Sequence, residues 1–193
     1  MKIIFILFIW FTTLGFAQGQ NQYQVLYEQG LKQEKTSMLV LGSWATANII
    51  GAFAMGRGEN ENNYFWQMNG YWNSVNLAIA GVGYWAAQRS STKSQGLEVL
   101  LSNIKLEKSF LFNTALDLAY ITGGLYMKEV GKNNVKERAR LTGFGNSLIA
   151  QGSFLFVFDV INYAIAANRT SKIKSNLQLQ TFNGTGLTIS YTF

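Results

Sequence analysis

Four stretches of the chain carry almost no charge, and each is about the length of a membrane-crossing helix. Residues 38–56 and 64–88 hold no charged side chain, 109–127 holds only Asp117, and 144–167 holds only Asp159. At ~1.5 Å of rise per residue, each reaches roughly across ~30 Å of hydrocarbon. The chain has no proline, so each stretch can satisfy its own backbone as an unbroken helix. A mid-span aspartate does not forbid insertion. It costs on the order of 3 kcal/mol, and each Leu, Ile, Phe or Val returns about 0.3–0.6. Ten such residues lie between Leu148 and Ile165. The second span, with Gln67, Asn69, Asn73 and Asn76, is the weakest and depends on its neighbours for burial.

Steps of three and four place the polar and small residues of each span on one face. These are Trp44, Asn48 and Gly51 on the first span, and Asn69, Asn73, Asn76, Ala80, Gly83 and Ala87 on the second. The third contributes Asn113, Asp117, Tyr120 and Gly124, and the fourth Gly152, Asp159, Asn162 and Ala166. Small and polar residues belong at helix contacts in membranes, so these faces are expected inward and the Phe, Leu and Ile remainder toward lipid. The expected fold is an all-α membrane protein of four transmembrane helices.

The pattern also repeats at an offset of 73 residues. "LKQEKT" (31–36) matches "IKLEKS" (104–109), "NGYWNSV" (69–75) matches "TGFGNSL" (142–148), and Gly51 falls on Gly124. The predicted units are about 26–80 and 99–153. Each is an entry helix, a span, a turn and a returning span, and the two copies run parallel. Near the C-terminus the period changes to two. Leu177 and Leu179 alternate with glutamines, and Leu187, Ile189, Tyr191 and Phe193 with Thr and Ser, around an Asn183-Gly184 turn. That predicts a β-hairpin tail over 171–193, following a helical domain over 18–170. The terminal Phe193 and the aromatic content of 15% keep a small outer-membrane β-barrel as the rival architecture. The continuous apolar runs oppose it.

Residues 1–17 read as a signal peptide: Lys2, an apolar run from Ile3 to Phe11, and a small-x-small site at Gly15-Phe16-Ala17. An uncleaved anchor would give the same topology, with 57–63 and 128–143 cytoplasmic and the C-terminus outside the cytoplasm. The expected location is the inner membrane. Charged residues are 13% of the chain and the net charge is +6, spread over connectors rather than gathered into a nucleic-acid surface. Tyr23, Tyr27, Trp66, Tyr71, Trp72, Tyr84 and Trp85 lie near the predicted boundaries and read as an aromatic belt.

Cys and His are absent, which removes thiolate chemistry and makes zinc, haem and imidazole-based catalysis poor fits. No metal, cofactor or catalytic residue is expected. The chemistry that remains is a polar layer near the midplane formed by Asn48, Asn76, Asp117 and Asp159, supported by Asn73, Asn113, Asn146 and Asn162. No Lys, Arg or His lies in any span, and two carboxylates at one depth in low dielectric cannot easily both ionise. The layer is therefore either packing glue, with a protonated Asp bonded to an asparagine amide, or a site for H⁺ or Na⁺.

Through "NGYWNSV", the paired "EKT" and "EKS" entries and the two intramembrane aspartates, residues 1 to about 170 resemble a family of small, signal-bearing, four-helix membrane proteins of Gram-negative bacteria. That family is grouped as a domain of unknown function, and the resemblance implies no activity. Two functions follow from the residues themselves: a non-enzymatic structural or assembly subunit of the envelope, or a small proton- or cation-coupled transporter or channel. The expected partners are the lipid bilayer and either a second copy of the chain or another envelope protein.

Overall fold

Four helices form in order: α1 (Lys2–Met55), α2 (Glu61–Arg89), α3 (Gly96–Lys132) and α4 (Arg138–Asn183). They come from a computed structural model that describes residues 2–91 and 95–183, with side chains from 22 to 178. Each predicted span lies inside one helix, apart from Gly56 just past the end of α1, and the entry segments are continuous with the spans they precede. α1 and α3 are therefore single rods of 54 and 37 residues.

The turn between α1 and α2 is specified locally. Gly58 sits at φ 120°, and a Cβ there would approach Asn63 Oδ1 to 2.6 Å. Asn60 caps α2 by accepting the Asn63 backbone N–H at 2.9 Å. The open carbonyls at the end of α1 are taken by side chains of α2. Asn63 Nδ2 donates to Met55 O at 2.7 Å, and Gln67 Nε2 donates to Gly56 O at 2.9 Å. At the opposite end of α2, Arg89 lies over the Trp85 ring at 4.2 Å.

α1 packs mainly on α2 and α3 mainly on α4, and the two hairpins meet chiefly through α2 and α4. One apolar cluster closes the end of the bundle that holds Tyr23, Leu26, Tyr27, Val99 and Ile173. A second, of Leu41, Ala80 and Leu155, lies deeper, with Phe154 and Phe158 against it. Trp44 stacks on Phe154 at 3.9 Å, joining α1 to α4.

The tail departs from expectation. Residues 177–183 continue α4 as helix, so the first strand of the proposed hairpin does not form, and α4 runs unbroken through residue 170. The reason lies in contacts made one turn apart: Ile173 is fully buried in the end cluster, and Leu177 follows it onto the same surface. The helical period wins over the alternation. The hairpin's second half, 184–193, lies outside the described residues. With the described elements all helical, the β-barrel alternative is set aside.

By length and composition, two segments are apolar enough to cross a membrane: 22–55 in α1 and 138–178 in α4. α2 and α3 fall short of that measure. The two hairpins differ in helix length, 54 and 29 residues against 37 and 46, and positions related by the 73-residue offset do not all do the same work. Asn73 is fully buried, whereas its counterpart Asn146 donates to Glu61 Oε1 at 2.8 Å near the turns.

Candidate functional site

The interior of the bundle is polar over much of its length. On α4, Ser147, Gln151, Asp159, Asn162, Arg169 and Thr170 are all buried. They recur at helical steps and form one stripe, which the other three helices meet at three depths.

At the first depth, Gln151 is the hub. Its Nε2 donates to Asn69 Oδ1 at 2.8 Å and to Asn48 Oδ1 at 3.1 Å, and its Oε1 accepts from Trp44 Nε1 at 2.7 Å. Ser147 adds a second donor to Asn69 Oδ1 at 2.7 Å. Three helices are tied here by uncharged groups, with every partner in register.

The second depth lies about 12 Å along α4 at ~1.5 Å per residue. Asp117 and Asp159 face each other, and Asn113 turns its side chain to Asp159. Both carboxyls line a cavity of about 220 Å³, shared with Asn76, Trp72 and Tyr120. Among the described residues, two buried polar side-chain atoms lack a hydrogen-bond partner: Asp117 Oδ2 and Trp72 Nε1. Both belong to residues that line this cavity. One is an acceptor and the other a donor, so the cavity wall offers complementary groups to a polar occupant. Trp72 is held edge-on to Tyr120, ring centres 4.5 Å apart.

The third depth lies toward the Tyr23 end. Ser37 Oγ donates to Asn162 Oδ1 at 2.6 Å, and Gln33 Nε2 donates to the Asn162 carbonyl at 2.8 Å. Arg169 donates from Nη1 to Asn103 Oδ1 and from Nη2 to Gln33 Oε1, each at 2.7 Å. Asn103 in turn donates to Thr170 Oγ1 at 2.7 Å, and Thr170 donates to Glu107 Oε2 at 2.5 Å.

The single midplane layer expected from the sequence is therefore divided. Asp117, Asp159, Asn76 and Asn113 come together. Asn48 does not join them, because its oxygen is taken by Gln151 one layer away. Asn73 spends its amide on the Asn69 carbonyl at 2.9 Å and touches Asn76 only at 3.4 Å. Asn162 belongs to the third depth and Asn146 to the turn end. The aromatic belt is also revised. Tyr23 and Tyr27 are buried in the end cluster and Trp72 faces the cavity, while Tyr71 and Trp85 are exposed.

Sequence reading passed over Ser147, Gln151, Arg169, Thr170, Gln33, Ser37 and Asn103. A usable signal existed for the α4 members. Extending the Asp159–Asn162 face by two to three turns toward the N-terminus reaches Gln151 and Ser147, and by two turns toward the C-terminus reaches Arg169. Among the described residues, no group of three or more His, Cys, Asp and Glu could hold a metal ion.

A family model described as a family of unknown function (DUF6992) matches residues 40–160, more than half of the chain. The match contains the Gln151 hub and both aspartates, and ends before Asn162 and Arg169. No curated protein and no solved structure matches the chain.

Proposed function

The chain belongs to that family, whose description assigns no activity, and from the geometry we propose that it is a multi-pass membrane protein with a non-enzymatic, structural role. In this reading all four helices cross the bilayer, and the polar stripe fixes which helices pack and in what register. The observation that carries it is the inverted distribution of polarity. Asn69, Asn73, Ser147 and Gln151 are at most 1% exposed, while Phe53, Val82, Phe112 and Val157 are 75%, 67%, 65% and 56% exposed. A protein folded in water buries the second set and exposes the first. In lipid the apolar surface costs nothing, and interhelical hydrogen bonds add about 0.6–2 kcal/mol each.

α2 and α3, too polar to span alone, fit this account because their polar faces point at α4 and α1. The location proposed is the inner membrane, with the 128–143 connector in the cytoplasm. The Lys2-led leader supports that orientation. As an assembly subunit, the protein would recruit a second copy or another envelope protein through its apolar exterior. Resistance to alkaline carbonate extraction, followed by co-purification of a stoichiometric partner from native membrane, tests both halves. Release into the soluble fraction would end the proposal.

A second reading is favoured by one observation, the partnerless Asp117 Oδ2 and Trp72 Nε1 in residues lining a single cavity. Intramembrane carboxylates often mark ion routes, and this pair could hold a proton or a cation for transfer. Asparagine keeps the hydrogen bonding but cannot release a proton. Liposomes that show no proton or Na⁺ flux with the wild-type chain would remove this reading and leave the structural one, and flux that persists in both Asp117→Asn and Asp159→Asn would take the aspartates out of any ion route.

A further inference from the structure

Arg169 presents a problem that the polar stripe does not solve. It is 6% exposed, yet among the described residues no carboxylate forms an ion pair with it. It donates hydrogen bonds to the amide oxygens of Asn103 and Gln33, which orient the guanidinium without cancelling its charge. The nearby acids are directed elsewhere. Glu107 accepts from Thr170, and Glu34 lines a separate pocket between α1 and α3. A buried cation without a counter-charge is expensive, and a guanidinium with N–H groups to spare is well suited to a phosphate.

Arg169 borders an open cleft of about 490 Å³ between α1 and α4. The cleft is graded in polarity. Lys32, Gln29 and Gln33 lie with Arg169 at one end, and Val40, Ile161 and Phe158 lie deeper toward the aspartate level. From Arg169 to Phe158 the helix advances about 16 Å at ~1.5 Å per residue, the reach of the upper part of an acyl chain. Among the described residues no carboxylate lines the cleft, and the charges that face it are those of Lys32 and Arg169. α1 and α4 touch sparsely, and the bonds of Gln33 and Ser37 to Asn162 tie the two walls together between the ends of the cleft.

We propose that this cleft binds one anionic phospholipid, its phosphate against Arg169 and Lys32 and one acyl chain along Val40, Ile161 and Phe158. The proposal rests on the membrane reading above, and charge complementarity together with the polarity gradient selects a lipid over a soluble anion. The cleft is open along its length, so the remainder of the lipid stays in the bilayer.

The test is native mass spectrometry of the full chain in detergent, titrated separately with phosphatidylglycerol, phosphatidylcholine and inorganic phosphate. Phosphatidylglycerol is expected to be retained about fivefold better than phosphatidylcholine, since one basic residue near a headgroup is worth ~1 kcal/mol. Lys32→Gln, at an exposed position, should lose most of that preference. Ile161→Trp should lower retention of either lipid by filling the chain's path, and both variants should keep wild-type helicity. Arg169→Gln should abolish the preference, and if it does not fold the other two variants still decide. Equal retention of the two lipids by the wild type, or unchanged binding in both Lys32→Gln and Ile161→Trp, overturns the proposal. Displacement of the lipid by inorganic phosphate also overturns it, in favour of a soluble anion. Failure of the membrane reading would appear separately, as release of the chain by carbonate before any lipid is added.

Discussion

Trp44 donates its indole N–H to Gln151 Oε1 at 2.7 Å, a side-chain bond that ties the first helix of one hairpin to the second helix of the other. The same glutamine donates to Asn48 and Asn69, so a single residue holds α1, α2 and α4 at one depth. Gln151→Leu keeps the volume but removes every one of these contacts. With bonds of about 0.6 kcal/mol on average in a membrane, the loss should be roughly 2 kcal/mol. Reversible unfolding in mixed micelles would measure it, and a change under about 0.5 kcal/mol would contradict the role given to Gln151.

Asp159→Leu should insert its helix more readily, by on the order of 3 kcal/mol, and yet assemble less well. Asp117 would lose its neighbour at the cavity, and the register between α3 and α4 would be less strictly set. Faster proteolysis or mixed oligomers on native gels is the expected outcome, with Asp159→Asn behaving as wild type. Wild-type assembly in the leucine variant would mean that the aspartate pair contributes nothing to packing.

Glycine positions separate close approach from open space. A Cβ at Gly143 would come within 2.4 Å of Glu61 O, and one at Gly124 within 2.6 Å of Gly145 O. Both obstacles are backbone, which cannot swing aside. Gly143→Ala and Gly124→Ala should each cost about 1–3 kcal/mol. Gly81 and Gly123 have nothing within 4 Å of such an atom, so alanine there should be neutral or slightly stabilising. Thermal melts of the four variants in one detergent would check the contrast.

A reporter fused after Phe193 should be active only outside the cytoplasm, and one inserted at Asn134 only inside. The reverse pattern would exclude the proposed orientation.

The helices and their inward faces were legible because an apolar run interrupted at steps of three and four has one geometric solution. The α2 face of Asn69, Asn73, Asn76, Ala80 and Ala87 reads directly as its buried set. Depth was much less legible. Asn48 sits near the centre of its own span, yet α1 is longitudinally placed so that this residue meets Gln151 rather than the aspartates. Periodicity within a helix carries no information about how far one rod slides along another. The tail failed for a related reason. Alternation over Leu177 and Leu179 is local, whereas Leu177 is placed by Ile173, Val99 and Tyr23 from two other helices and its own preceding turn.

The unequal hydropathy of the helices has a consequence for synthesis. α1 and α4 contain the segments long and apolar enough to cross a bilayer, and the weaker α2 and α3 come between them. α2 emerges from the ribosome after its strong partner and can fold back on a helix already in place. α3 is made before α4 and, if it crosses the bilayer as proposed, must wait at the translocon until its partner arrives. In the proposed membrane reading the first hairpin is thus committed to the bilayer early, and the second only when α4 is complete. A nascent chain halted near residue 135 should leave α3 open to protease, and one halted near residue 180 should protect it.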